Sequence, residues 1–251
     1  MCTVTFMPRR RGYCLGMNRD EKRTRAKGLP PAIRNIDDRR VLYPSEPTGG
    51  TWIALNDKGV SFALVNWYSV PAKAEGNVLS RGAIIPRFGG ANSPALADAG
   101  LADLPLNRFN PFRLIGIFPV IREIVEWRWD LKQLTRNCHV WRTQQWISSG
   151  FDERMAQQVR GRTFCRANNQ ESVGTVAWLR RLHRSHSPRS GPFSTCMHRD
   201  DATTVSYTEI IVSTESLKMR HVSGPPCGLS KLDDCRALSV SIPLRGLVQP
   251  C

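Results

Sequence analysis

The stretch GGTWIALNDKGVSFALVNWY, residues 49–68, limits the fold more than any other part of the chain. Residues 52–55 and 60–67 flank Asn56-Asp57-Lys58-Gly59, which has the composition of a hairpin turn. The returning segment is apolar at consecutive positions, so both faces of its strand need cover. Such a strand belongs inside a layered sheet. Asn66 is the only amide in its apolar run.

Other segments fill in the layers. Residues 1–6 and 13–17 are rich in strand formers and read as two antiparallel strands joined by a basic turn through Arg9, Arg10 and Arg11. Residues 18–21, Asn-Arg-Asp-Glu, are expected where the second strand ends. Residues 28–38 read as a loop, and 76–113 as an irregular segment with a short helix at 94–99. Strand composition returns over 116–129 and 138–147. Residues 151–164 and 173–183 carry helical periodicity, and 194–213 reads as a hairpin turning at Arg199-Asp200-Asp201. No repeat is present, and no GxGxxG follows a strand. Strands, then helices, then strands describe an α+β protein with largely antiparallel sheets. Residues 1–225 form the expected single domain, with 226–251 a peripheral or poorly ordered tail.

A chain of 251 residues with 41% hydrophobic content can bury a substantial core. Its 36 basic and 21 acidic residues give a net charge of +15. No basic helix with interleaved aromatics, RNP-like strand or helix-turn-helix accompanies the charge, so nucleic acid is not an expected partner. A small anionic acyl or amide substrate suits it better. Arg9 to Arg11 interrupt the only early apolar stretch, and the longest apolar run, residues 114–121, falls far short of the roughly 20 residues of a membrane helix. A cytoplasmic protein without a transmembrane segment is the expectation. The eight cysteines form no CxxC pair and are expected to be reduced thiols. His183, His186, Cys196 and His198 have metal-ligand spacing, yet the same segment reads as helix end, loop and strand start; no metal or cofactor is expected.

Cys2 carries the most distinctive chemistry. Removal of Met1 leaves a thiol and a free α-amine on one residue. An α-amine titrates near 7.7 to 8.0, so it can serve as its own residue's general base without a histidine. Asp20, beside Asn18 and Arg19, is the natural anchor for that amine. Asn66 is the candidate donor to a tetrahedral oxyanion.

The motifs MCT, LGMNRDE, GGTW, LNDKGVSFALVNW, SRG at 80–82, WISSGFDE at 146–153 and GPFSTCMHRDDATTVSYTEI together resemble the NRDE family, which includes the transport and Golgi organisation protein 2 group. The resemblance extends over residues 1 to about 225. The same anchors are more distantly similar to the choloylglycine hydrolase and penicillin acylase group of amino-terminal-nucleophile hydrolases. That likeness implies a four-layer αββα sandwich, with Cys2 as nucleophile, Asp20 as partner of the α-amine and Asn66 as oxyanion donor. The mid-chain Asn of that group falls where Ser148 and Ser149 stand, which makes Ser149 a supporting position. Arg199 is matched by position alone to the group's late Arg. The implied function is a Cys-dependent hydrolase or acyltransferase acting on a non-peptide amide through a Cys2 thioester. The alternative is a non-catalytic member that binds a lipid, acyl-CoA or haem-like ligand or supports membrane traffic.

Overall fold

In the computed structural model, which describes residues 2–36, 38–228 and 237–242, the first two strands lie inside a six-stranded antiparallel sheet. β1 (Cys2–Arg9) and β2 (Gly12–Lys22) pair so that Cys2 stands opposite Arg19. β11 (Ala202–Ser213) runs the full length of β2, followed by β12 (Leu217–Ser223) and β13 (Leu238–Ile242). On the other side β10 (Gln144–Ser148) pairs with β1. A second, seven-stranded sheet is a meander in chain order: β3 (Leu29–Ile36), β4 (Arg39–Ser45), β5 (Ile53–Asn56), β6 (Ser61–Asn66), β7 (Phe112–Phe118), β8 (Glu123–Trp129) and β9 (Leu134–His139).

Alternation along the strands sorts side chains into layers. Val4, Phe6, Leu15 and Met17 of the first sheet meet Leu42, Ile53, Leu55, Ala63 and Val65 of the second in one buried core. The other face of β6, Phe62 and Leu64, packs with Ile85 and Phe88 of α1 (Ile85–Phe88) and Ala97 and Leu101 of α2 (Pro94–Ala102). Behind the first sheet, Met7 and Cys14 contact Trp178, Leu179 and Leu182 of α4 (Val176–Arg184), with Phe164 of α3 (Glu153–Asn168) alongside. The order helix, sheet, sheet, helix is the αββα sandwich that the resemblance implies, and it covers both faces of β6. No helix among the described residues is long and apolar enough to cross a membrane.

Several segments differ from their sequence reading. Residues 18–21 lie inside β2, because β11 continues pairing as far as Ala202 opposite Lys22. Residues 29–36 form an edge strand whose Pro30 and Pro31 fall at a register shift, where missing N–H donors do least harm. The 116–129 segment is a hairpin folded at Pro119, with Arg122 in the left-handed region at φ 52°. The 138–147 segment divides between β9 and β10, which belong to different sheets. Residues 194–198 contribute only the isolated bridge His198 to Thr203, so the partners of β11 are β2 and β12. Within the 226–251 segment, β13 pairs with β12; residues 229–236 and 243–251 lie outside the described ones.

The approach of α4 to β2 depends on Gly16, where an added Cβ would stand 3.0 Å from His183 Nε2 and 3.2 Å from Leu179 Cδ1. Gly16→Val should therefore cost about 1–3 kcal/mol by overpacking. Gly161, inside α3 with nothing within 4 Å of its virtual Cβ, should gain about 0.5–1 kcal/mol on change to Ala. Urea unfolding midpoints that move in opposite directions for the two variants are the check.

Candidate active site

Cys2 begins β1 with its side chain toward the inter-sheet layer, 8% exposed, at a cleft of about 350 Å³. Arg19, Asp20, Trp52, Asn66 and Arg81 line the same cleft. Burial pushes the Cys2 thiol up, so its resting form is the protonated thiol and a base must take the proton during attack. No histidine lines this cleft among the described residues. His183 donates to or accepts from the Thr5 hydroxyl at 3.0 Å on the opposite side of the first sheet; burial, with Arg160, holds it down to about 3. His221, 2.9 Å from the Thr208 hydroxyl, is held at about 4 by burial and then by Arg19.

Asp20 is fully buried. One carboxylate oxygen accepts from the Thr204 hydroxyl at 2.6 Å and the other from Arg160 at 3.2 Å. Arg160, also at 0% exposure, donates to the Thr3 hydroxyl at 2.7 Å and to the Pro192 carbonyl at 3.4 Å. This arrangement follows from strand alternation: Thr3, Asn18 and Asp20 face α3 and α4, whereas Cys2 and Arg19 face the other sheet. Asn18 donates to the carbonyls of His183 and Thr195, at 2.9 and 2.8 Å. Arg19 stacks over Trp52 at 4.2 Å and donates to Glu46 at 2.6 Å. Asn66, on the last position of β6, donates to the Tyr68 hydroxyl at 2.7 Å.

The two remaining candidates from the sequence are located elsewhere. Arg199 pairs with Asp201 at 2.7 Å, lies over the Phe151 ring, and is not among the cleft's lining residues. Ser149 is buried beside Tyr68 and Phe151 in a neighbouring depression, and its hydroxyl accepts from the Phe151 N–H. Ser148, not Ser149, stands across from Cys2 in the β1–β10 register. Its buried hydroxyl has no hydrogen-bond partner among the described residues. Sequence reasoning also passed over Arg81 and Asn110, which line the cleft, and Arg160. Arg81 does sit in the quoted SRG motif; Arg160 is one of several arginines on a polar helix and carries no local signal.

Residues 1–122 match the family model described as Transport and Golgi organisation 2, about half of the span over which the motifs suggest the resemblance. No curated protein matches the chain. Among solved structures, a mutant of the conjugated bile acid hydrolase from Clostridium perfringens is similar at a TM-score of 0.54 and 8% identity, covering 96% of this chain and 92% of that one. Penicillin V acylase from Agrobacterium tumefaciens is similar at 0.52 and 10% identity, covering 89% and 83%. At these identities the likeness is one of fold, the amino-terminal-nucleophile hydrolase sandwich.

Removing Arg160 would strand a buried carboxylate, so Arg160→Met should cost about 3–5 kcal/mol, and adding Asp20→Asn should recover a large part of it. A double-mutant cycle by urea denaturation measures both. The buried histidines set a second expectation. Unfolded histidine binds a proton near 6.5 and the folded pair only near 3 and 4, so below pH 6.5 the unfolded chain holds more protons and stability falls as pH drops. Unfolding midpoints should decline from pH 7 to pH 5, a window above the about 2 at which His139, Arg128 and Arg113 hold Glu126 against its burial. His221→Gln should flatten that decline.

Proposed function

We propose that this chain is a Cys-dependent hydrolase or acyltransferase of a small-molecule amide other than a peptide, with Cys2 as its amino-terminal nucleophile. The observation that carries the reading is that Cys2, Asp20 and Asn66 share one cleft whose lining, among the described residues, includes no histidine. With Met1 removed, the α-amine of Cys2 takes the thiol proton as sulfur attacks the substrate carbonyl. The amide C–N bond then breaks, the leaving amine takes the proton from the α-ammonium, and a thioester remains on Cys2. Water completes hydrolysis, and a second nucleophile completes acyl transfer.

Asp20 is the proposed anchor of the amine, fixed by Arg160 and Thr204. Asn66 is the proposed oxyanion donor: one of its two amide hydrogens goes to Tyr68, which leaves the other for substrate. The unpartnered Ser148 hydroxyl beside Cys2 is a second donor. The cations Arg19, Arg25 and Arg81 in the lining balance Asp20, Glu21 and Glu46 in number. Arg19 and Arg25 are both tied to Glu46. Arg81 has no ion-pair partner among the described residues and donates only to the Pro111 carbonyl at 2.8 Å and toward Tyr68. A carboxylate or phosphate on the substrate would complete it.

Intact mass should show a chain lacking Met1, and incubation with a panel of N-acyl amides should add an acyl increment to the amino-terminal peptide. Cys2→Ala should abolish turnover, and Asn66→Ala should lower kcat by about 10²–10³. Retained Met1 in active protein, or a Cys2→Ala variant with unchanged turnover, overturns the reading. Retained Met1 together with a copurified lipid or acyl-CoA would favour the non-catalytic alternative.

A further inference from the structure

Four metal-ligating side chains converge outside the cleft. His186 follows α4, Cys196 and His198 lie in the loop before β11, and Cys227 sits on a short 3-10 turn, Pro226–Gly228. Their ligand atoms all lie within 4.8 Å of one another. His186 Nε2 and His198 Nε2 are 3.1 Å apart, and His198 Nε2 is 3.6 Å from Cys196 Sγ and 3.4 Å from Cys227 Sγ. With Zn–N of about 2.05 Å and Zn–S of about 2.3 Å, a tetrahedron has edges of about 3.3 Å between nitrogens and about 3.6 Å between nitrogen and sulfur. The three separations from His198 Nε2 lie within about 0.3 Å of those edges, and the other three, within 4.8 Å, close onto them with small side-chain shifts.

We infer that His186, Cys196, His198 and Cys227 form a closed, four-coordinate zinc site with a structural role. Two nitrogens and two sulfurs in tetrahedral reach select Zn²⁺ over the oxygen-seeking cations, and four protein ligands leave no open position for catalysis. Binding displaces the two thiol protons, so Zn²⁺ meets two thiolates and two neutral imidazoles. His183, which the local spacing brought into consideration, is instead held against Thr5 behind the sheet, and Cys227 supplies the fourth ligand from a distant segment.

The site would brace residues that hold the cleft. Met197, between two of the ligands, donates its N–H to the Thr204 hydroxyl at 2.8 Å, and that hydroxyl donates to Asp20 at 2.6 Å. The neighbouring Thr195 carbonyl accepts from Asn18 at 2.8 Å. A metal clamp on 196–198 therefore fixes the loop against which both β2 side chains are bonded. The metal assignment itself does not depend on Cys2 chemistry.

The test is the metal content of full-length protein, purified under reducing conditions without chelator, by inductively coupled plasma mass spectrometry. About one zinc per chain is expected. Cobalt(II) titrated into zinc-depleted, reduced protein should give visible d–d bands of tetrahedral intensity together with thiolate-to-cobalt charge transfer. Cys196→Ser and Cys227→Ser should lower zinc to background and shrink the charge-transfer band, whereas Cys2→Ala and the exposed Cys165→Ala should retain both. Reduced wild-type protein that carries no zinc and gives no thiolate–cobalt band overturns the site, whether or not the variants fold. So does a Cys196–Cys227 disulfide as the form isolated under those conditions. Loss of turnover in Cys2→Ala with zinc retained separates this inference from the catalytic one.

Discussion

The ion pair between Arg160 and Asp20 is the contact on which the rest of the cleft architecture depends. Both side chains are fully buried, and placing two charges in that environment costs several kcal/mol unless each finds further partners. Here they do: Thr204 serves Asp20, and Thr3 and the Pro192 carbonyl serve Arg160. The result ties α3 to β1, β2 and β11 at one end of the first sheet. Asn18 makes a parallel tie from β2 to the end of α4 and to the loop at Thr195. Farther along the same face the contacts turn apolar, with Met7, Cys14 and Leu179 in one cluster. Polar anchors thus sit beside the start of β1, and apolar packing takes over beyond them.

Much of this layering was legible in the sequence. β1 and β6 follow from runs of strand formers, and the demand of β6 for cover on both faces already implied more than one layer. α3 and α4 followed from helical period and ended within a few residues of their reading. What local pattern could not show was non-local pairing. Two adjacent prolines at 30 and 31 speak against a strand until an edge position and a register shift make them harmless. Strand composition through 116–129 does not reveal that the chain reverses at Pro119. The 138–147 run looks continuous, yet its halves join different sheets, because the chain crosses from the second sheet to the first between His139 and Gln144.

The candidate site divides in the same way. Cys2, Asp20 and Asn66 stood out from local context: a thiol at the second position, a carboxylate at the expected end of the adjoining strand, an amide in an apolar run. Arg160 was invisible because Arg154, Arg162 and Arg166 share its helix, and only the side of the helix that meets Thr3 distinguishes it. Likewise, spacing suggested His183 as a metal ligand because it lies three residues before His186. The end of α4 turns His183 toward β2 and His186 toward the loop, and the nearest additional sulfur comes from 29 residues beyond His198.

One environment accounts for both halves of the proposed chemistry. The burial that raises the Cys2 thiol also lowers the local dielectric, where the proposed donors Asn66 and Ser148 would stabilise a developing oxyanion more than they could in water. A raised thiol, however, needs a base at hand. The buried histidines cannot supply it, since His183 and His221 are held neutral against threonine hydroxyls and neither lines the cleft. The carboxylate of Asp20 is committed to Thr204 and Arg160 on the helix-facing side of the sheet, whereas the thiol faces the other sheet. What remains in the proposed chemistry is the α-nitrogen of Cys2 itself. Its proximity to its own sulfur is covalent, so the geometry that a separate base would need from packing is supplied by the residue itself.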